Sequence, residues 1–192
     1  MTKYQNHLRT LFLLFALTSG VGCLLFSMVL FSVSDARSNP SWPYIFLVIG
    51  VTFIYAFSKA LEKSKSKTRN VIEVFKCNEF SPTDEYELKT LDAGKYLGID
   101  VRSGTILLVS TTESIYQGRT TLELSGYECN GNILTLKFND VYFPYFRISA
   151  GTESKCMNFG RKLDALLSSS YRPEKDSGNT FNKFVKQKSL AY

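Results

Sequence analysis

Two long apolar runs dominate the first third of the chain. Residues 11–33 form 23 consecutive residues without a charged side chain, and residues 42–58 form a second run of 17. A helix needs about 20 apolar residues to cross the hydrocarbon core of a bilayer, and Lys59 can extend the shorter run by snorkelling. The stretch between the runs is short and polar. The pattern therefore predicts two transmembrane helices in an antiparallel membrane hairpin.

The placement of basic residues sets the expected orientation of this hairpin. Lys3 and Arg9 precede the first run and five basic residues follow the second, whereas the connecting loop carries only Arg37. Lys and Arg collect on the cytoplasmic side of transmembrane segments. We therefore expect a two-pass protein with both termini in the cytoplasm, residues 1–10 among them, and residues 34–41 outside. A cleaved signal peptide fits less well, because the first apolar run continues well past the small residues that would form a cleavage site.

The first apolar run also carries small residues at helical spacing. They recur four residues apart, which brings them to one face of a helix and lets another helix approach closely in lipid. We assign this face to packing against the second helix or against another protein, a homo-oligomer included. The helix-packing set is Ala16, Ser19, Gly20, Cys23 and Ser27.

A stretch rich in Ser and Lys, residues 59–70, follows the second run. Each basic residue beside an anionic leaflet contributes about 1 kcal/mol of attraction. We interpret the stretch as a juxtamembrane linker that contacts lipid head groups, although a topology signal that ends the helix explains the same residues. The head-group set is Lys59, Lys63, Lys65, Lys67 and Arg69.

Short β-rich runs separated by turn residues follow the linker. A first strand is predicted at residues 71–76, and a helix is predicted from Ser81 to Gly94 because Ser81 is followed by proline and acidic residues, the usual start of a helix. Glycine turns at Gly104 and Gly131 separate the later runs. Further strands are predicted at residues 95–101, 105–110, 120–129, 133–138 and 142–149.

Apolar residues at helical spacing predict an amphipathic helix over residues 153–169. Residues 71–170 are therefore predicted to form one small α+β domain, in which a bent antiparallel sheet is capped by the C-terminal helix. This is the pleckstrin-homology-like arrangement, with another small roll or an open α+β sandwich as alternatives. Residues 171–192 carry five basic and two acidic side chains and are expected to form a flexible basic tail.

The charge distribution narrows the function. Residues 1–69 hold eight Lys and Arg against two Asp and Glu, so they carry the whole net charge of +6 and residues 70–192 are neutral overall. A domain that binds nucleic acid needs a basic patch on its folded part, so we expect no nucleic-acid partner. His7 is the only histidine, which leaves the folded domain without histidine-based catalysis or a typical zinc site.

Candidate chemistry is sparse in the predicted domain. The four cysteines lack metal-ligand spacing, and Cys129 and Cys156 fit the apolar pattern as small core residues. The acidic residues at positions 84–92 fit a solvated helix face better than a cation site. Asp100 is interpreted as a turn cap at the end of a strand, although a hydrolase using carboxylates such as Asp100 and Asp140 is the enzyme alternative. We expect no catalytic residues, no metal and no cofactor.

Four aromatic residues cluster late in the predicted sheet. Strand alternation would place Tyr142 and Phe146 on one face and Phe143 and Tyr145 on the other. One pair is expected in the core. The other is expected to be exposed as a contact surface, because aromatic side chains are enriched at protein interfaces. The cluster is therefore the candidate protein interface.

Two short stretches carry a family resemblance. They resemble a short sequence motif of small inner-membrane proteins of bacterial plasmids and prophages: residues 98–101 are Gly-Ile-Asp-Val and residues 104–107 are Gly-Thr-Ile-Leu. In those proteins a helical hairpin carries a cytoplasmic pleckstrin-homology-like domain. The layout also resembles that of the entry-exclusion proteins of conjugative plasmids, which sit in the recipient's inner membrane and block redundant DNA transfer. The resemblance implies a protein of the bacterial inner membrane, and the sparse candidate chemistry favours a non-enzymatic role.

The resemblance also implies the kind of partner. The basic linker points to membrane lipids as partners, and the resemblance points to a membrane-associated protein, with the conjugation machinery as the most specific candidate. Confinement to the membrane plane raises the effective concentration of such a partner, so a weak interface is sufficient. The alternatives are a lipid-binding membrane adaptor and a membrane-anchored carboxylate hydrolase.

Overall fold

The computed structural model describes residues 3–33, 41–175 and 177–190. Two long helices come first, α1 at Lys3–Val33 and α2 at Ser41–Phe75. The chain divides into two compact units, Met1–Ser64 and Lys65–Tyr192, which are described separately. The short loop and the outermost terminal residues of the sequence-based prediction lie outside the described residues.

The first unit contains α1 and most of α2. Both helices are long and apolar enough to cross a membrane, over Leu11–Ser32 in α1 and within Ser41–Phe75 for α2. Ser27 donates a hydrogen bond from Oγ to the carbonyl oxygen of Pro43 at 2.8 Å. The rings of Phe26 and Phe46 meet edge to face with their centroids 5.0 Å apart. The two helices therefore contact each other along their apolar length.

The second unit begins with the last turns of α2. The predicted strand at residues 71–76 is wrong, because α2 continues to Phe75. Val71, Ile72 and Phe75 are buried there while Glu73 is exposed. Residues one and four positions apart lie on one face of a helix. The β-branched side chains of Val71 and Ile72 favoured a strand in the sequence, but here they lie on the buried face of α2.

The first sheet has four antiparallel strands in chain order: β1 Glu87–Thr90, β2 Lys95–Asp100, β3 Thr105–Ser110 and β4 Ile115–Thr120. The predicted helix from Ser81 to Gly94 is wrong. Two short 3-10 turns, Asp84–Tyr86 and Leu91–Ala93, flank β1 instead. Tyr86 and Leu88 both pack against the core, two residues apart, which is the period of a strand rather than of a helix. β4 was not predicted.

The second sheet has three antiparallel strands, β5 Leu124–Asn130, β6 Ile133–Phe138 and β7 Tyr145–Ser149. Gly131 adopts a φ of 57° in the turn between β5 and β6, which confirms the predicted Asn-Gly hairpin. β5 begins four residues later than predicted, and β7 begins three residues later. The chain before each strand forms a turn instead.

Helix α3, Glu153–Leu167, follows the second sheet as predicted. The Thr152 hydroxyl caps its first turn by accepting a hydrogen bond from the Lys155 amide at 3.3 Å. Its buried stripe packs into a core that both sheets share. The helical members of this core are Cys156, Phe159, Leu163 and Leu166, and the strand members include Leu97, Ile106, Leu134, Leu136 and Ile148.

A second core covers the opposite face of the first sheet. Helix α4, Gly178–Ser189, lies against β4 there, and the end of α2 joins the same core. Its members include Val71, Phe75, Phe80, Tyr96, Leu107, Tyr116, Phe181 and Val185. The predicted flexible tail is therefore wrong over residues 178–189. Its apolar positions Phe181 and Val185 are four residues apart and bury one helix face against the sheet.

Candidate functional site

A loop at residues 139–144 joins β6 to β7 and projects from the domain. Two backbone hydrogen bonds fix its base. The Phe138 amide donates to the carbonyl oxygen of Pro144 at 2.9 Å, and the Asn139 amide donates to the carbonyl oxygen of Glu123 at 3.0 Å. The loop is thus closed on itself and tied to the turn that precedes β5.

Arg119, near the end of β4, binds the loop through its guanidinium group. Its Nη2 lies 2.6 Å from Asp140 Oδ2 and its Nη1 lies 3.0 Å from Glu123 Oε2. The guanidinium also lies 5.5 Å from the centre of the Phe143 ring, a cation–π contact. Because the Arg119 side chain is largely buried, this ion pair is less screened than one on an open surface.

Asp140 uses its second oxygen within the loop. Oδ1 accepts a hydrogen bond from the Tyr142 amide at 2.8 Å. That hydrogen bond and the ion pair with Arg119 hold the pKa of Asp140 below its ordinary value. Asp140 therefore has a structural role, because it fixes the backbone on which Val141 and Tyr142 are displayed.

The fixed loop exposes large apolar side chains. Val141 is 93% exposed and Tyr142 is 97% exposed. Leu122, 73% exposed, lies one residue before Glu123, the residue that is bonded to the base of the loop. We call Leu122, Val141 and Tyr142 the apolar tip. Of these residues, only Tyr142 belongs to the sequence-predicted interface. Val141, Leu122 and the supporting Arg119 were not predicted, since their roles depend on contacts between distant parts of the chain.

The four aromatic residues of the predicted interface separate into two environments. Phe146 is buried in the shared core, and Phe143 packs against the rings of Phe138 and Phe146. Tyr142 is almost fully exposed, and Tyr145 is 54% exposed. The predicted alternation is wrong because residues 139–144 form a loop, so the period of a strand starts only at Tyr145.

A groove of about 680 Å³ lies on the outer face of the second sheet, next to the loop. Tyr145 forms part of its wall, and the Arg147 guanidinium lies 5.0 Å from the centre of the Tyr145 ring. Lys137 pairs with Glu128 at 3.1 Å along the same face. Pro144 also lines the groove, so the groove and the projecting loop share residues.

The carboxylates considered for catalysis serve as structural acceptors. Asp100 is buried and accepts hydrogen bonds from the amides of Ser81 and Arg102, both at 2.9 Å, and from the amide and hydroxyl of Ser103, both at 3.3 Å. This confirms the predicted turn cap. Among the described residues, no group of three or more His, Cys, Asp or Glu side chains is placed to hold a metal ion.

The basic residues assigned to lipid head groups all lie on α2. Lys65 forms an ion pair with Asp92 at 2.9 Å, and Lys59 lies over the Tyr55 ring at 5.5 Å. The side chains of Lys59, Lys63, Lys67 and Arg69 are exposed. The stretch is helical throughout, so the helix does not end at the basic residues as the sequence suggested.

The small residues assigned to helix packing lie on one side of α1. Ala16, Gly20 and Ser27 are buried, and Ser19 and Cys23 are half-buried. A Cβ on Gly20 would lie 3.2 Å from Ile54 Cγ1, and one on Gly50 would lie 2.9 Å from Leu24. These glycines allow α1 and α2 to approach closely within the first unit.

Comparison of the chain with protein-family models, with curated proteins and with solved structures finds no match. The functional argument therefore depends on the geometry of the chain itself.

Proposed function

We propose that this chain is a non-enzymatic, two-pass inner-membrane protein whose cytoplasmic domain binds a protein partner through the apolar tip. The observation that carries the proposal is the near-complete exposure of Val141 and Tyr142 on a loop held by the Arg119–Asp140 ion pair. Two backbone hydrogen bonds and the Arg119–Asp140 ion pair hold this loop in one conformation, so the exposure of Val141 and Tyr142 is a fixed feature of the fold.

The energetics favour a binding role for the tip. Burying a Val side chain contributes about 1.5–3 kcal/mol relative to leaving it in water, and the fold forgoes this gain at Val141, next to the almost fully exposed Tyr142. A fixed loop also loses little conformational entropy when a partner binds. Tyrosine is enriched among the residues that dominate binding energy at interfaces.

The membrane part of the proposal rests on the two apolar helices and on charge placement. Leu11–Ser32 and the apolar part of Ser41–Phe75 have the length and composition of spans, and their contacts at Ser27 and Pro43 fit an antiparallel hairpin. Basic residues flank the hairpin on the side of both termini. The domain would then lie in the cytoplasm.

The proposed fold family for the domain is pleckstrin-homology-like. Four antiparallel strands in chain order, then three more, then a helix that closes the shared core, give the element order of that arrangement. Contacts between β1 and β7 bring the two sheets together at one corner: the Thr90 hydroxyl donates to the Ser149 carbonyl oxygen at 2.8 Å.

Site-specific photo-crosslinking in cells tests the partner-binding proposal. A photoreactive residue placed at position 142 of the full chain should give a discrete protein adduct, because this side chain projects into solvent at the tip. Met157, which is also exposed but lies on α3, is the matched control position. Introducing Val141→Ser should weaken the adduct at position 142. The absence of an adduct, or identical adducts from both positions, would contradict the proposal.

Entry exclusion is the sharpest physiological form of this proposal. Cells that express the chain should then receive fewer copies of a related conjugative plasmid, and Tyr142→Ala should restore transfer. Undiminished transfer from every related donor would remove entry exclusion and leave the question of partner binding to the crosslinking experiment.

A lipid-binding adaptor is a second candidate, favoured by the exposed side chains of Lys59, Lys63, Lys67 and Arg69. If it is correct, amide exchange over residues 63–69 of the reconstituted full chain should be slower in anionic than in zwitterionic lipid. Added salt should remove the difference, because it screens head-group attraction. Equal exchange in both lipids would rule this candidate out.

A further inference from the structure

Two free thiols meet between β5 and α3. The Sγ atoms of Cys129 and Cys156 lie 2.7 Å apart. The Cys129 thiol also donates to the carbonyl oxygen of Cys156 at 3.2 Å. A disulfide needs its two sulfurs about 2.05 Å apart, so an approach of about 0.7 Å separates this arrangement from a covalent bond.

The packing of α3 on β5 holds the two thiols together. Gly160 lies one helical turn after Cys156, and a Cβ on it would lie 2.6 Å from the Tyr127 ring. Tyr127 lies two residues before Cys129, on the same face of β5, and burial together with the nearby Asp164 raises the pKa of its hydroxyl to about 12. The meeting of the two sulfurs therefore belongs to a close helix–strand contact and does not depend on a loop.

We infer that Cys129 and Cys156 form a reversible intramolecular disulfide through exchange with a low-molecular-weight disulfide. The Cys129 thiolate attacks one sulfur of the oxidant, the oxidant's S–S bond breaks, and a first small thiolate leaves. The Cys156 thiolate then attacks Cys129 Sγ in the mixed disulfide and expels the second. The two protons from the cysteines pass to the two released thiolates, so two thiols are oxidised and one small disulfide is reduced.

The surroundings of the pair set the order and speed of these steps. Cys129 is half-buried and Cys156 is fully buried, so the oxidant reaches Cys129 first. Burial, together with the neighbouring Cys156 and Asp164, raises the pKa of Cys129 to about 12. Since the thiolate is the attacking species, the first step should become faster as the pH rises. Tyr127 and Asp164 are the other titratable groups facing the pair.

The bond would join two elements that are 27 residues apart in the sequence. It would tie α3 covalently to β5 and so restrict the unfolded chain. Oxidation should therefore make the domain more resistant to heat, and reduction should reverse the effect. Thiol chemistry here is independent of the function proposed for the apolar tip: in a reducing cytoplasm the pair rests as two thiols, and the bond forms transiently when small disulfides accumulate.

Peptide mapping of the full-length protein in detergent tests the inference. After incubation with oxidised glutathione and alkylation of the remaining thiols, we expect a cross-linked peptide pair containing Cys129 and Cys156. Cys23 and Cys77 should be recovered alkylated. The midpoint of thermal unfolding should rise on oxidation and return on reduction. Cross-linking should be faster at pH 9 than at pH 7, because the thiolate is the attacking species.

Two variants control the experiment. Cys23→Ser/Cys77→Ser, which keeps the pair, should form the same cross-link and show the same rise in midpoint. Cys129→Ser should lose both responses. Recovery of Cys129 and Cys156 as fully alkylated residues, or only as separate mixed disulfides with glutathione, would overturn the inference. The peptide map of the oxidised wild-type protein shows whether the Cys129–Cys156 disulfide forms even if Cys129→Ser does not fold.

Discussion

Single polar side chains determine the shape of two turns in this domain. Asp100 receives three backbone amides and a hydroxyl at the end of β2, and Asp140 receives one amide and a buried guanidinium in the loop before β7. Each carboxylate satisfies donors that would otherwise be left without a partner when their turn is packed. At this scale the acidic residues act as structural elements, which weakens the case for a hydrolase built on them.

Replacing Asp140 with Asn should make the domain less stable at neutral pH and should alter its pH dependence. The pKa of Asp140 is held below its ordinary value of 3.8, so the carboxylate stabilises the fold above that pH. Its contribution is lost as pH falls through the lowered pKa. The thermal midpoints of wild type and Asp140→Asn should therefore differ at neutral pH, begin to converge as the pH falls below 3.8 and meet below the lowered pKa.

A series of thermal melts in detergent from neutral to acidic pH measures this convergence. Asp84→Asn is the matched control: Asp84 is fully exposed and pairs with Lys89 at 3.6 Å, and because such a surface pair contributes little to stability, this variant should track the wild type at every pH. A gap between wild type and Asp140→Asn that stays constant into strong acid would show that the Arg119 pair contributes nothing through its charge.

At the scale of elements, sequence patterns predicted those parts that bury one clear stripe or lie between clear turns. β2, β3 and β6 follow apolar runs bounded by Gly104 and Gly131, and α3 follows a helical stripe behind a Thr cap. β4 escaped prediction because its sequence mixes Gln, Gly and Arg with few apolar residues. Its burial comes from α4, a partner that is distant in sequence.

The candidate site was predictable only in outline. The Asn139-Asp140 turn and the aromatic cluster beside it are visible in the sequence, and Tyr142 could be chosen from them. Which aromatic residues are buried depends on where β7 begins, and this in turn depends on the bond between Phe138 and Pro144. The role of Arg119 depends on a contact across 21 positions. Patterns with a period of two or 3.6 residues carry no information about such contacts.

Gly118 tests how closely α4 packs on β4. A Cβ at this position would lie 2.9 Å from Val185 Cγ2 and 3.2 Å from the Phe181 ring. Gly118→Ala should therefore displace α4 or strain the core, lowering the free energy of unfolding by about 1–3 kcal/mol. Denaturant unfolding of the full chain in detergent measures the change.

Gly126→Ala is the matched control for this substitution. Gly126 also lies in a strand, but a Cβ there would have no atom within 4 Å. Its effect should stay within about 0.5 kcal/mol of the wild type. Equal effects of the two substitutions would mean that the loss of glycine in a strand, and not the approach of α4, sets the energy.

For the whole molecule, the proposed orientation gives a direct prediction. Basic residues before the first span and after the second should keep residue 192 in the cytoplasm. A reporter that is active only in the cytoplasm should work when fused after Tyr192, and one that is active only outside should not. Full-length protein that remains in the soluble fraction, or an external C-terminus, would contradict the two-pass arrangement.

The double covering of the first sheet has a consequence for how the protein is made. One apolar face of β2, β3 and β4 is closed by the end of α2, which the ribosome completes first, and by α4, which it completes after every strand. Until α4 emerges, the Phe80 ring lacks its stacking partner Phe181, and Gly118 of β4 lacks the Phe181 and Val185 side chains that cover it. Nascent chains therefore pass through a partly folded intermediate in which one apolar face of the first sheet is only partly covered and prone to aggregation. Chains that stall before α4 should be preferred substrates for chaperones and quality-control proteases.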